Sequence, residues 1–145
     1  MLHLIKDLAD DLINFLIDDP VRPEIPKDVR VGKNKDIFVS KESDKVTAIT
    51  CVSYQFNIPE DVSDLFETCI EPNVAVFYTI WSYKPGAGRN LILESVKHIK
   101  ETNTSIKRFV TLSPKTDVAK KFHLRNGACV LRENPATINY EYVSV

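Results

Sequence analysis

The sequence predicts a mixed α/β fold, a single mixed central sheet flanked by helices, and three observations carry that expectation. First, Val74-Ala75-Val76-Phe77-Tyr78-Thr79-Ile80-Trp81 is β-rich and apolar on both faces, as a strand in the middle of a covered sheet should be. Second, from Val74 to Gly127 the chain reads strand, glycine turn, helix, strand, polar turn, helix, an alternation that layers helices on a sheet. Third, 145 residues with 43% hydrophobic and 27% charged side chains suffice for one packed core and are too few for two ordinary domains. The chain 1–145 is therefore expected to be one domain, with 1–73 and 74–145 as its halves.

Each element has its own signal. Leu4, Ile5, Leu8, Leu12, Phe15 and Leu16 recur at helical spacing, which predicts an amphipathic helix over 3–18, stopped at Asp18-Asp19-Pro20 because proline disfavours helical geometry in the residue before it. Residues 20–35, with three prolines and many charges, read as an extended connection with a short strand at Val29–Val31. Ile37–Val39 and Val46–Val52 are β-rich runs around the polar turn Lys41–Lys45, which together predict a hairpin. Val62, Leu65, Phe66 and Cys69 predict a short helix between Pro59 and Ile70, opened by Pro59 and the acidic pair Glu60-Asp61.

The second half reads more sharply. Val74–Tyr83 is the central strand, and Leu91, Ile92, Val96 and Ile99 lay one face of the next helix on it. Ile106–Leu112 is the following strand, and 116–125 the following helix, closed by Asn126-Gly127 as a left-handed cap. Val130–Arg132 and Thr137–Val145 finish the chain as an antiparallel pair.

The totals exclude some classes. No apolar run approaches the eighteen or so residues of a membrane span. Asp7, Asp10 and Asp11 stand where a signal peptide would carry basic residues, so none is expected. Cys51, Cys69 and Cys129 form no C-x-x-C pair, which points to a reducing cytoplasm with no disulfide frame and no metal site. The net charge of −1 conceals an asymmetry: residues 1–73 hold 8 basic and 15 acidic residues, and 74–145 hold 11 and 5. A basic half built round a glycine turn suits a polyanionic small molecule, whereas its scattered charges give nucleic acid no continuous stripe.

Three stretches can carry chemistry. In Gly86-Ala87-Gly88, glycine lets backbone amides approach phosphate oxygens, and the helix starting there adds positive potential. The same glycines also suit an ordinary strand-to-helix turn, and no Gly-Lys-Ser/Thr ending marks a triphosphate loop. Ser113-Pro114 is a good helix start, yet Thr116-Asp117 competes for that cap, which would free Ser113 at a strand's carboxyl end, where open α/β sheets hold ligands. His123 has no partner at metal-ligand spacing; it is either structural or a proton donor facing the glycine turn. Tyr78, Trp81 and Tyr83 read as core and rim aromatics, and the cysteines as structural thiols.

The pattern Tyr83-x-x-Gly86-x-Gly88-Arg89-x-Leu91-Ile92 resembles the acyl-coenzyme-A loop of the GNAT acyltransferase superfamily, with Tyr83 where glutamine or arginine is usual. Ala119-x-x-Phe122-His123-x-x-x-Gly127 is similar to its second cofactor motif, with His123 where a tyrosine donor is common. Ala75–Ile80, Phe109-Val110-Thr111-Leu112-Ser113-Pro114 and Val118–Ala128 more narrowly resemble the catalytic domain of malonyl-CoA decarboxylases, members of the same superfamily. That family has a long insertion where Lys115-Thr116-Asp117 joins the two strings here, and a separate helical domain.

The resemblance implies a GNAT-like acyl-CoA-binding fold, a coenzyme A thioester (malonyl-CoA or acetyl-CoA) as substrate, and Ser113 and His123 as the catalytic pair. It places Trp81, Ser82, Tyr83, Lys84, Gly86, Ala87, Gly88, Arg89 and Asn90 around the cofactor, with Lys84 and Arg89 adding charge. Decarboxylation of malonyl-CoA is the first reading. Acyl transfer to an amine is the second, and a silent relative that binds a partner protein through 55–73 is the third. The implied partner is a small-molecule acyl-CoA; neither nucleic acid nor membrane is expected, and a homodimer stays open.

Overall fold

Ser43 and Asp44, both at positive φ (51° and 69°), make the tight turn between strands β2 (Lys35–Glu42) and β3 (Lys45–Gln55). Two left-handed residues match the twist of a hairpin, so the register is fixed from Lys35↔Ser53 to Glu42↔Lys45. This hairpin belongs to an eight-stranded sheet in a computed structural model that describes residues 1–67, 69–143 and 145. The remaining strands are β1 (Leu2–Ile5), β4 (Val74–Ser82), β5 (Arg108–Thr111), β6 (Ser113–Pro114), β7 (Cys129–Glu133) and β8 (Thr137–Glu141), and the α-helices are α1 (Ala87–Thr102) and α2 (Asp117–Arg125). Strand order is β1-β2-β3-β4-β5-β8-β6, with β7 on β8.

Strands β4 and β5 run parallel, from Val74↔Arg108 to Phe77↔Thr111, and the other described pairings are antiparallel. A parallel pair needs a crossover, which α1 supplies. Helix α1 buries Leu91, Ile92, Val96 and Ile99 against Phe38, Ala75, Phe77 and Tyr140 on one face of the sheet. The opposite face buries Val39, Ile49, Val76, Tyr78 and Trp81 under Ile13, Leu16, Ile25 and Leu65. The mixed α/β architecture expected from the sequence is thus present.

The first half departs from its expected elements. The helix expected over 3–18 is instead β1, paired with β2, followed by a 3₁₀ helix at Asp11–Asp18. Aspartates explain the break: the Asp7 carboxylate accepts from Ala9 N–H and Asp10 from Leu12 N–H, so local side-chain bonds displace the helical ladder. Ile13 and Leu16, three apart, are the buried pair a 3₁₀ turn presents. No strand forms at Val29–Val31, where Lys27–Val29 is a single 3₁₀ turn. The helix expected from Pro59 to Ile70 contracts to a 3₁₀ helix at Val62–Phe66 under an Asp61/Asp64 capping box; Thr68 lies outside the described residues. In the second half Ser113-Pro114, expected as a polar turn, pairs with β8 as β6, and the other differences are at element ends: the last strand stops at Glu141, and Ser144 lies outside the described residues. Gly127 closes α2 at φ 99°.

Candidate functional site

The site begins as a gap between two strands. Leu112 N–H still donates to Phe77 O at 3.1 Å, and beyond that bond β4 continues to Ser82 while β5 turns through Ser113-Pro114 to pair with β8. One extra residue sits in β4 at Tyr78, where the pairing shifts from Val52↔Phe77 to Cys51↔Thr79. The bulge resets the alternation: Phe77 and Ile80 face α1, whereas Tyr78 and Trp81 face the other layer. Tyr83 N–H donates to Thr47 O on β3, so by alternation the Ile80 and Ser82 amides turn toward the edge that β5 has left. A cavity of about 290 Å³ fills this gap. Trp81, Ser82 and Gly88 line it beside Ser113, Phe122 and His123, and no Asp, Glu, Lys or Arg does.

Gly86 N-caps α1 at φ 81°, a conformation that strains any L side chain. Ala87 N–H turns back to Lys84 O and Asn90 N–H bonds to Gly86 O, leaving the Gly88 and Arg89 N–H groups without an acceptor among the described residues. No side chain caps this end and its first turn carries no acid, so the helix presents unsatisfied donors. Gly88 serves a second end: a Cβ there would stand 3.2 Å from the Phe122 ring, so the glycine lets α1 close on α2. Ala87 is buried, while Tyr83, Lys84, Arg89 and Asn90 are exposed at the mouth. Lys84 is paired with Glu42 at 2.7 Å, and the Tyr83 hydroxyl accepts from Trp81 Nε1 and donates to Asp18. Of the cofactor residues expected from the sequence, Trp81, Ser82 and Gly88 reach the cavity, and the others ring the helix start.

Thr116, not Ser113, caps α2 by accepting from Ala119 N–H. Ser113 is left in β6, buried, with its hydroxyl 2.8 Å from that of Thr111, which also accepts from Tyr140 N–H. His123 is buried on α2, stacked on Tyr140 with ring centroids 5.1 Å apart. Its Nδ1 lies 2.7 Å from the Tyr142 hydroxyl. The two groups share one hydrogen bond, and which of them donates is set by the tautomer of the ring. Burial pushes the imidazole down to about 4, so the ring is neutral at pH 7.

A buried polar cluster behind the gap has no expectation in the sequence. Arg30 Nη1 meets Asp19 Oδ2 at 2.7 Å and also donates to Cys51 Sγ, and the Nε and Nη2 donors go to the carbonyls of Arg22 and Ile25. Asp19 Oδ1 accepts from Val21 N–H, Arg22 N–H and the Thr79 hydroxyl, which ties the segment to β4. Arg22 Nη2 donates to Leu112 O at 3.0 Å, which ties it to β5. The segment 19–30, expected only to connect, therefore straddles the splayed strands and brings Pro20 and Val21 into the cavity wall. The one signal available was three prolines fixing an irregular chain around two arginines.

No family model matches the sequence, and no curated protein matches it significantly. Solved structures do. Malonyl-CoA decarboxylase from Cupriavidus metallidurans superposes with a TM-score of 0.78 at 14% identity, covering 99% of this chain and 60% of that one. A putative acetyltransferase of the GNAT family from Desulfovibrio desulfuricans follows at 0.65 and 12%, covering 97% of this chain and 98% of that one. The chain has the GNAT fold. An acetyltransferase from Bacillus subtilis in complex with CoA, at 0.62 and 9% identity, covers 97% of this chain and 95% of that one. The GNAT-fold chain spans only 35% to 60% of the length of the decarboxylases it matches. No helix among the described residues is long and apolar enough to cross a membrane.

Proposed function

We propose that this protein is an acyl-CoA-dependent enzyme that decarboxylates malonyl-CoA to acetyl-CoA, with Ser113 and His123 as its catalytic pair. The observation that carries the reading is the cavity between splayed β4 and β5, which gathers Ser113, His123 and the β4 edge beside an uncapped helix N-terminus. The free amides of Gly88 and Arg89, with the Arg89 side chain nearby, suit the pyrophosphate of coenzyme A. Lys84 adds to that charge once it exchanges Glu42 for a phosphate. The outward amides of Ile80 and Ser82 suit the pantetheine arm, which would lie along β4 as an added strand and bring the thioester to Ser113.

Chemistry then follows from the cavity's character. The C–C bond to the carboxylate breaks, carbon dioxide leaves, and the electron pair passes into an enolate whose oxygen needs donors already in place. The Ser113 hydroxyl, oriented by Thr111, would hold the carboxylate in line for that cleavage. His123 is neutral before substrate enters, and a carboxylate arriving beside it favours the imidazolium, which then gives its Nε2 proton to the carbanion. Solvent restores that proton after product leaves.

The test is a mass-spectrometric time course of malonyl-CoA with the purified protein and no amine acceptor. Acetyl-CoA is expected to accumulate, and to stop doing so in Ser113→Ala and His123→Ala. Turnover that survives both substitutions would overturn the assignment. Acyl transfer to an amine is the second reading, favoured by the near full-length match to acetyltransferases. It predicts intact malonyl-CoA and consumption of acetyl-CoA once a cationic acceptor is supplied.

A further inference from the structure

A groove of about 1140 Å³ lies at the end of the sheet opposite the cavity, where Gln55 leaves β3, Val74 enters β4 and Arg108 enters β5. It exceeds the roughly 300–1,000 Å³ of small-molecule sites, so it is sized for a segment of polypeptide. Phe56 and Ile70 line it at 61% and 85% exposure, large apolar side chains that the fold leaves to solvent. Glu60, Glu67 and Glu71 share the lining; they are exposed and make no ion pair among the described residues. Asp64 joins them, with Oδ2 taken by the amides of Glu60 and Asp61. The arginines of the lining are committed within the chain. Arg108 holds Glu141 through two hydrogen bonds, and Arg132 Nη2 donates to the carbonyls of Ile58 and Pro59.

Apolar surface among unpaired carboxylates calls for an occupant that is basic and partly apolar. The chain carries such a surface itself. On α2, Lys121, Leu124 and Arg125 are exposed and stand three and four residues apart, so they share one face, with Lys120 beside it. None of these four lines the cavity, and the sole acid of the helix is Asp117. The excess of acids in 1–73 and of bases in 74–145 has the same sense. We propose that the groove docks the outward face of α2 of a second copy of this chain. Groove and helix face have no residue in common, so the contact is head-to-tail, each copy giving its helix to one neighbour and its groove to another. The inference stands apart from the acyl-CoA reading, because none of its residues belongs to the cavity.

The experiment is sedimentation velocity of the full chain at rising concentration. Wild type is expected to grow in mass with concentration, and to revert to monomer between about 0.1 M and about 1 M salt, as the screening length falls from about 10 Å to about 3 Å. Glu60→Gln with Glu67→Gln and Glu71→Gln removes charge from the groove, and Lys120→Gln with Lys121→Gln and Arg125→Gln removes it from the helix face. All these side chains are exposed, so both triple variants are expected to keep the fold, checked by circular dichroism. Each alone should be monomeric where wild type associates. Mixed in equal amounts they should form a dimer and nothing larger, because one keeps the helix face and the other keeps the groove. Wild type that stays monomeric at every concentration overturns the proposal and leaves the groove to a basic partner of another sequence. Association that survives in either variant, or a mixture that stays monomeric, overturns it as well.

Discussion

The buried imidazole of His123 ties the fold's stability to pH in a calculable way. Burial holds it at about 4 in the folded chain against an ordinary 6.5, so the folded state binds fewer protons than the unfolded one between these values. The folded pKa is the lower one, so its stabilising effect is fully present above about pH 6.5 and is lost as pH falls toward 4. Between pH 7 and pH 5 the loss works out at about 2 kcal/mol, a sizeable part of the 5–15 kcal/mol of a typical domain. Urea denaturation at the two pH values, for wild type and for His123→Asn, isolates it, because surface carboxylates contribute equally to both proteins. Wild type should lose about 2 kcal/mol more than the variant over that interval. Equal losses would show that the ring stays accessible to protons, and would refute both its burial and the neutral resting state used in the mechanism.

Other expectations follow from single contacts. Asp19→Asn strands the Arg30 guanidinium and should cost about 3–5 kcal/mol in urea denaturation, since one partner of a buried pair is left uncompensated. Gly88→Ala places a methyl group 3.2 Å from Phe122 and should weaken CoA binding measured by calorimetry, because the ring that must shift belongs to the cavity wall. Tyr142→Phe removes the hydroxyl that holds Nδ1, so the ¹⁵N shifts of the His123 ring should lose the single-tautomer pattern expected of wild type. An unchanged ring spectrum would mean that another group sets the tautomer.

What could be read in the sequence follows the kind of force involved. The run from Val74 to Gly127 was legible because period, glycine and proline act locally: the apolar β4, the turn at Gly86 and the α2 cap at Gly127 each declare themselves within a few residues. Ser113 and His123 were named for their place at a strand end and on a short helix, and both line one cavity. The first half was not legible, because Asp7 and Asp10 spend their carboxylates on nearby amides and convert an apparent helical stripe into a strand and a 3₁₀ turn. Asp19 reads in the sequence only as part of a helix stop, and Arg22 and Arg30 only as members of an extended connection. Their partners, Thr79 and Leu112, stand 60 and 90 residues away in sequence, a separation that no local pattern reports.

The extra residue at Tyr78 has a consequence for how β4 tolerates change in length. It works as a phase shift: upstream of it odd-numbered positions such as Ala75 and Phe77 look toward α1, and downstream that direction passes to Ile80. Deleting Tyr78 alone would leave a regular strand in which Thr79 still faces Cys51, Ile80 still looks toward α1 and Trp81 toward the opposite layer. The extra residue is therefore slack: the strand can lose it without turning over the positions that line the gap.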